Sequence, residues 1–361
     1  MRFGTSIALF LGLAAVSAGL VGVVGTQLRN TEFYVQERLA ARAVAAGHAI
    51  VFPHGMNESV FRWDLAEEWP RSPDIVVFGS SHSQLVSADF FPHEALFNLS
   101  SAGAQLSDHL ISWQILRTQH HLPKRWIIFV DPWLFENRAP TDNVSARAEA
   151  FANIERVVAD PGKPGPFASK AAAIQTERPV WTGRLDSLLG AIDERAREWL
   201  DRPVIADGRN YQTPIIHADG SLQRESGPPA SAAEIGALAK RQFAEKTDRH
   251  RYGTFSAVDP NATGVFKKWI QQLRGDGMTV TFVFEPYHPA IYPAIVAEPH
   301  NQLSTLDTKI RELAHLLGCQ TLGDYDPGKA GMTEGDFWDG DHLQIRGMRK
   351  IFGPSAPADS R

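Results

Sequence analysis

A serine after one apolar run and a histidine near the carboxyl terminus could act together as a nucleophile and its base. The run Ile75–Phe78 has the β-branched and aromatic residues of a buried strand, and Gly79 permits a sharp turn before Ser81. A serine hydroxyl becomes a strong nucleophile only when a base accepts its proton. His342 could be that base, because Asp339 lies three residues before it and could fix its tautomer. The sequence therefore predicts a serine nucleophile activated by a histidine and a carboxylate.

Neighbouring residues offer alternatives and additions to this set. Ser83 could be the nucleophile instead, and Asp341 could be the orienting acid, although an adjacent residue usually points away from the histidine. His82 could contact a substrate. Asp131 and His288 follow two other apolar runs, and the carboxyl ends of parallel strands meet at the edge of the sheet where ligands bind. We therefore expect both to line the site.

The elements that must position these residues alternate between strand and helix. Buried strands are predicted at 74–78, 126–130 and 278–284, with short strands at 95–99 and 320–323. Helices are predicted at 107–121, 262–275 and 304–317, and from about residue 344. Strand–helix–strand order implies right-handed parallel crossovers. The predicted fold is a three-layer α/β domain with a parallel sheet of flavodoxin-like order.

The predicted domain is interrupted and flanked by segments of different character. It comprises residues 74–135 and 257–353. Residues 136–256 are polar and rich in proline, and helices near 145–158, 183–200 and 231–247 predict a helical insertion or lid. Residues 31–73 are predicted to form a stalk and connector, and residues 354–361 a disordered tail.

The first 30 residues predict a membrane anchor. No charged residue occurs from Thr5 to Leu28, and a helix of that length can cross a hydrocarbon core of about 30 Å. A cleaved signal peptide is the alternative, because Ala15–Ala18 offers small residues for cleavage. The apolar run continues well beyond that point, which favours an uncleaved anchor. Either interpretation places the rest of the chain outside the cytoplasm.

Composition excludes several classes of protein. The chain has 361 residues and a net charge of -5, without the basic stripe of a nucleic-acid binder. Its one cysteine, Cys319, cannot form an intramolecular disulfide or a cysteine metal cluster. The adjacent pair His120–His121 has poor geometry for sharing one ion, and there is no glycine-rich phosphate loop. We therefore expect neither a metal nor another cofactor.

Three blocks of the sequence resemble the SGNH (GDSL-like) hydrolase superfamily, over residues 74–135 and 262–353. Gly79–Ser81 stands where that family has Gly-Asp-Ser, Asn98–Gly103 resembles the second block, and Asp339–His342 matches the Asp-x-x-His block. The resemblance implies that Ser81 is the nucleophile. It also implies that Asn98 and Gly103 lie at the oxyanion hole or substrate, with the Gly103 amide as a donor. The family's Gly-x-Asn-Asp block is not recognisable, and Val130–Trp133 occupies its place.

The departures from that family pattern indicate a particular subgroup of the superfamily. This sequence has a single N-terminal span, Gly-Ser-Ser as its first block and Asp-Pro-Trp after the next strand. In these features it resembles the membrane-anchored SGNH-like proteins of cell-envelope acylation. These include proteins of alginate and peptidoglycan O-acetylation and the D-alanyl transfer protein of teichoic acid synthesis. The resemblance implies an O-acyltransferase, with acetyl as the expected group. It would act on a polysaccharide outside the bacterial cytoplasmic membrane, beside a multispanning membrane-bound O-acyltransferase. A carbohydrate esterase or deacetylase with the same triad and a non-catalytic scaffold of an exopolysaccharide assembly complex are the alternatives.

Overall fold

The computed structural model describes residues 34–138, 140, 142–158, 203–207, 213–224, 231–245 and 249–353. The described residues from Glu37 onward belong to one compact unit, which contains the sheet and the candidate site. The predicted anchor at 1–30, helix near 183–200 and tail at 354–361 fall outside the described residues. Among the described residues, no helix is both long enough and apolar enough to cross a membrane.

The strands and helices of the described residues are numbered in chain order. The strands are β1 Ile50–Val51, β2 Ile75–Phe78, β3 Leu96–Asn98, β4 Arg125–Phe129, β5 Ile215–Ile216, β6 Leu222–Gln223, β7 Thr279–Phe284 and β8 Gln320–Gly323. The helices are α1 Val35–Ala45, α2 Glu58–Glu68, α3 Leu106–Thr118, α4 Ala148–Val158, α5 Ala232–Ala244, α6 Pro260–Gly275, α7 Tyr292–Val296, α8 Leu303–Leu317 and α9 Ile345–Phe352. Short 3₁₀ helices lie at Ala88–Phe90, Pro132–Phe135, Asp142–Arg147, Arg249–Tyr252 and Glu334–Asp336.

Five strands form one parallel sheet in the order β3-β2-β4-β7-β8. Numbered within the sheet, this order is 2-1-3-4-5, as in flavodoxin-like folds. The α/β prediction with a parallel sheet is confirmed, and the edge strand predicted at 320–323 is β8. The carboxyl ends of β2, β4 and β7 therefore lie side by side, which brings the loops that follow them to one edge.

Helices cover both faces of this sheet. Successive strand residues point to opposite sides, so the apolar side chains of each strand pack against helices on both faces. On one face, Phe78 stacks on His109 of α3 with ring centroids 5.4 Å apart, and it also contacts Trp269 of α6. On the other face, Val77 belongs to a buried apolar cluster that includes Met348 of α9. Strand β2 reads as a continuous apolar run because both of its faces are buried.

The prediction of a stalk and connector at 31–73 is wrong for its described part. Helix α2 packs against α3, and Trp63 is fully buried with its indole N–H donating to the carbonyl of Asp108 at 3.2 Å. The sequence indicates a solvent-exposed segment here, because the charged residues Arg62 and Asp64 interrupt the apolar residues. Both are buried, and ion pairs with Glu58 and Arg147 compensate their charges.

The insertion at 136–256 is not wholly helical in its described part. Helices α4 and α5 confirm two predicted helices, but β5 and β6 form a hairpin that joins β1 in a small antiparallel sheet. The N–H of Leu222 donates to the carbonyl of Gln84 at 2.8 Å, and that of Asn98 to the carbonyl of Asp219 at 2.8 Å. The hairpin is thereby fastened to the loop that follows β2 and to the last residue of β3.

Replacing Gly79 with alanine is expected to destabilise the protein by about 1–3 kcal/mol, because the turn after β2 has no room for a side chain. An added Cβ would lie 2.2 Å from Ser83 Oγ and 2.8 Å from Phe129 Cβ. Gly264 in α6 is the control, since its added Cβ would meet nothing within 4 Å and alanine favours a helix. Urea unfolding of both variants tests this, and equal midpoints would contradict it.

Candidate active site

Ser81, His342 and Asp339 lie in one continuous line of hydrogen bonds. Ser81 follows β2, and its Oγ lies 2.8 Å from Nε2 of His342, which is in the loop before α9. The other ring nitrogen, Nδ1, lies 2.9 Å from Oδ2 and 3.0 Å from Oδ1 of Asp339. The structure therefore brings together the three residues that the sequence predicts as nucleophile, base and orienting acid. This is the geometry in which a histidine can remove a serine proton.

The loop that carries the histidine is organised by Asp339. Its Oδ1 accepts hydrogen bonds from the N–H groups of Asp341 at 3.1 Å and His342 at 2.9 Å. Burial alone would raise the pKa of Asp339, but hydrogen bonding and charge from the His342 ring, with those two N–H groups, lower its pKa well below the usual range. The carboxylate is therefore ionised when it faces the imidazole.

Ser83, the alternative nucleophile, lies inside the turn. Its hydroxyl is fully buried, 2.7 Å from Ser100 Oγ and 3.1 Å from the carbonyl oxygen of Ser80. His342 contacts the hydroxyl of Ser81 and not that of Ser83. Ser81 is half-buried at the wall of a cleft. The structure thus favours Ser81 over Ser83 as the nucleophile.

Asn98 does not reach the oxyanion position that the family resemblance implies for it. Its side chain is fully buried, and its amide donates to the carbonyls of Ser83 at 2.9 Å and Val86 at 2.8 Å. Its Oδ1 accepts the N–H of Ser100 at 2.9 Å. All of its polar capacity is therefore used to tie the turn after β2 to the loop after β3.

Two backbone N–H groups remain available as oxyanion donors. In the described part of the chain, the N–H groups of Ser81 and Gly103 form no hydrogen bond. Gly103 lies in an exposed loop with φ of +64°, a conformation that favours glycine. Ala102, beside it, lines the same cleft as Ser81. The predicted role of the Gly103 amide stays a prediction.

His82 and Asp131 do not line the cleft but form the centre of a buried cluster behind it. His82 is 5% exposed, and its Nδ1 lies 2.7 Å from Oδ1 of Asp131. The other carboxylate oxygen of Asp131 accepts the N–H of Ser80 at 3.1 Å. The expectation of substrate contact is wrong for both residues, because their polar atoms fix the turn that presents Ser81.

Two further carboxyl groups complete this cluster. Glu285, at the end of β7, lies 3.8 Å from His82 Nδ1, and Oδ2 of Asp341 lies 3.7 Å from His82 Nε2. Arg251, from the 3₁₀ helix Arg249–Tyr252, pairs with Asp341 at 3.3 Å. The position of Glu285 directly after a buried strand is a signal that could have identified it, but nothing in the sequence indicated that Arg251 would reach the site from the insertion.

Burial raises the pKa of Glu285 to about 8, and Asp131 and Asp341 add to that effect. The nearby His82 and the N–H of Leu343, which donates to Glu285 Oε1 at 3.0 Å, oppose it. For Asp341, burial raises the pKa, but His342 and His82 outweigh it and lower the pKa overall. These surroundings therefore favour the protonated form of Glu285 and the charged form of Asp341.

His288 is also behind the site and not in its wall. The side chain is fully buried, its Nδ1 accepts the N–H of Ala290 at 3.1 Å, and its ring packs 5.1 Å from that of Phe337. Burial lowers its pKa, so the ring is neutral. Its backbone N–H donates to the carbonyl of Gly340 at 3.0 Å. His288 therefore supports the loop that carries Asp339 and His342, which corrects the expectation that it contacts a substrate.

A cleft of about 550 Å³ opens beside Ser81. The residues that line it combine apolar and polar side chains from α2, the small antiparallel sheet and the loop before α9: Phe52, Glu58, Ser81, Gln84, Ala102, Pro214, Leu222, Arg224 and Trp338. Glu58 is held by Arg62, Gln84 and the N–H of Ala102. The sequence analysis did not identify Glu58 and Arg224 as residues of the site, because they lie in segments predicted to be a connector and a lid.

One group of possible metal ligands occurs among the described residues, formed by His82, Asp341 and His342 with ligand atoms within 4.8 Å of one another. Both nitrogens of His342 are already directed at Ser81 and Asp339, and Nδ1 of His82 is directed at Asp131. These bonds do not fit shared coordination of an ion. The expectation of no metal stays a prediction.

The arrangement as a whole provides a serine hydroxyl at the wall of an open cleft, a histidine within reach of it and an ionised acid, with two backbone N–H groups that form no hydrogen bond among the described residues. Such a set can form and resolve an acyl-enzyme. No protein-family model and no curated protein matches the chain.

Proposed function

We propose that this chain is a serine-dependent O-acyltransferase that acts on a polysaccharide. The observation that carries the proposal is the unbroken line from Ser81 Oγ through the His342 ring to the Asp339 carboxylate. A purely structural histidine would not need an ionised acid on one side and a half-buried serine hydroxyl on the other. An idle scaffold has no evident use for this arrangement, which is why we favour an enzyme.

In the first half-reaction, Ser81 Oγ attacks the carbonyl carbon of an acyl donor while His342 Nε2 takes the hydroxyl proton. The carbonyl oxygen becomes an oxyanion, and the N–H groups of Ser81 and Gly103 are its proposed donors. Collapse of the tetrahedral intermediate breaks the bond to the leaving group, which receives the proton from His342. The products are acyl-Ser81 and the protonated leaving group.

In the second half-reaction, a sugar hydroxyl attacks the acyl-serine and gives its proton to His342. Collapse of the second intermediate forms the new ester and returns the proton to Ser81. The indole of Trp338 and the polar side chains of Glu58, Gln84 and Arg224 line the cleft beside Ser81. An aromatic face with hydrogen-bonding groups around it suits a sugar ring, which supports a glycan as the acceptor.

The proposed setting is the outer side of the bacterial cytoplasmic membrane, with a multispanning membrane-bound O-acyltransferase as a partner that supplies the acyl group. The uncharged segment from Thr5 to Leu28 and the three-block resemblance to the SGNH superfamily support it. Acetyl is the proposed group. An esterase or deacetylase is the second candidate, because water entering the same cleft would give hydrolysis in place of transfer.

Covalent labelling and a donor-ester assay test the proposal together. A fluorophosphonate, which reacts with activated serines, is expected to label Ser81 in the wild-type chain and to leave His342→Ala unlabelled, as mass spectrometry of the peptide would show. The chain should also transfer acetyl from an activated acetyl ester to an oligosaccharide. Lack of any labelling at Ser81 would remove the enzymatic proposal, and hydrolysis that exceeds transfer at saturating glycan would favour the esterase.

A further inference from the structure

His82 lies in the cluster directly behind the proposed base, and the mechanism above does not use it. Its Nδ1 faces Oδ1 of Asp131 at 2.7 Å, and its Nε2 faces Oδ2 of Asp341 at 3.7 Å. A neutral imidazole has one N–H and one acceptor nitrogen, whereas carboxylate oxygens only accept. Carboxylates thus lie on both sides of the ring, Asp131 within hydrogen-bonding distance and Asp341 at an ion-pair distance, and this environment favours a proton on each ring nitrogen.

We infer that His82 is a positioning residue, a fixed imidazolium behind His342 that holds the Asp341 carboxylate and keeps His342 in its neutral, proton-accepting form. The two histidine rings are 5.2 Å apart and nearly perpendicular. A cation at that distance in a buried cluster disfavours a second positive charge on His342. This inference rests on the proposed function, since it assigns His342 the role of base.

The other charged and titratable groups around the two rings balance this cation. His82 is faced by Asp131 after β4, Glu285 after β7 and Asp341 in the loop before α9, and Arg251 lies beyond Asp341. His342 is faced by Asp339 and, at 3.4 Å from its Nδ1, by Asp341. The buried tyrosines nearby, Tyr252, Tyr287 and Tyr325, are neutral because burial raises the pKa of each.

Apart from Glu285, the cluster of His82, Asp131, Asp341 and Arg251 carries two positive and two negative charges when His82 is protonated. Burial alone would lower the pKa of His82, but its Glu285, Asp131 and Asp341 neighbours raise it well above the usual value. A neutral His82 would leave Asp131 and Asp341 with only Arg251 to compensate them, which a buried site disfavours. The charge balance thus agrees with the placement of carboxylates on both sides of the ring.

Direct observation of the His82 ring tests the inference in the wild-type, full-length chain. Nitrogen-15 NMR distinguishes an imidazolium from either neutral tautomer. Ser81–His82 is the one Ser-His pair in the sequence, so selective labelling of serine carbonyls and histidine nitrogens identifies its signals. Both ring nitrogens are expected to be protonated from pH 6 to pH 8. A ring with one unprotonated nitrogen at pH 7 would overturn the inference, whether or not the chain proves to be an acyltransferase.

The pH dependence of kcat/KM tests the effect on His342, because its acid limb reports the protonation of the base in the free enzyme. Removing the cation in His82→Gln should let His342 bind a proton more readily. The acid limb should then move to higher pH by roughly one to two units, whereas the charge-conserving His82→Arg should stay near wild type.

His109→Gln is the matched control for losing a buried histidine. His109 is 2% exposed, stacks on Phe78, and is neutral because burial lowers its pKa to about 4. We expect this variant to lose stability without a shift of the acid limb. An unshifted limb in His82→Gln, or an equal shift in His109→Gln, would refute the positioning role. If the His82 variants do not fold, the NMR titration of the wild-type chain decides.

Discussion

Replacing Ser81 with alanine is expected to lower kcat/KM for acyl transfer by about 10⁴- to 10⁶-fold, because no other group in the turn can form the acyl-enzyme. Among the described residues, the Ser81 hydroxyl forms its one side-chain hydrogen bond with His342, so its removal leaves the turn otherwise intact. The variant should therefore fold, and its circular dichroism and melting temperature should match those of the wild type. Steady-state rates with an activated acetyl ester measure the loss.

Ser83→Ala is the control for Ser81→Ala, since it removes a hydroxyl two residues away in the same turn. Ser83 bonds to Ser80 and Ser100 in the interior and has no contact with His342. Losing its hydrogen bonds should reduce stability by about 0.5–1.5 kcal/mol and leave kcat/KM within about tenfold of wild type. Full activity in Ser81→Ala, or a larger loss in Ser83→Ala, would show that Ser81 is not the nucleophile.

Replacing Asp339 with asparagine is expected to lower kcat/KM by about 10²- to 10⁴-fold, because the amide cannot stabilise the imidazolium that forms in the transition state. The ionised carboxylate faces His342 Nδ1 with both oxygens, at 2.9 and 3.0 Å. The amide oxygen could keep the two backbone N–H groups, but the amide NH2 would then face Nδ1 as a donor, so the ring could settle in the wrong tautomer. The loss should appear mainly in kcat, as expected for an interaction that strengthens in the transition state.

Comparison with Asp341→Asn separates the two carboxylates that face the same nitrogen. Asp341 lies 3.4 Å from His342 Nδ1 and is shared with His82 and Arg251, whereas Asp339 is closer and also accepts two backbone N–H groups of the loop. Asp339→Asn should therefore be the more damaging substitution when rates are measured at equal folded concentration. A greater loss in Asp341→Asn would reassign the orienting acid.

The sheet was predictable from the sequence because its strands are buried on both faces and read as uninterrupted apolar runs. The residues Ile75–Phe78 and Trp126–Phe129 show this plainly. Exposed and half-buried elements were more difficult to predict from the sequence. Strands β5 and β6 have two residues each and carry no period that could be recognised. Helix α2 carries the charged residues Arg62 and Asp64 in its buried part; Glu58, one turn earlier, compensates the first and Arg147, far along the chain, the second.

The sequence by itself determined the acid–base pair, because Asp339 and His342 meet through local geometry in one turn. It also pointed to Ser81, because a glycine and a serine at the end of a buried strand are local features too. Only the tertiary structure decided that Asn98, Asp131 and His288 support the site without entering it. Their roles depend on partners far along the chain, and a polar side chain at a strand end has the same appearance in the sequence whether it faces a cleft or a buried neighbour. The physical reason is that burial of charge is set by packing: His82 became a buried cation because β4, β7 and the last loop each bring a carboxyl group to it.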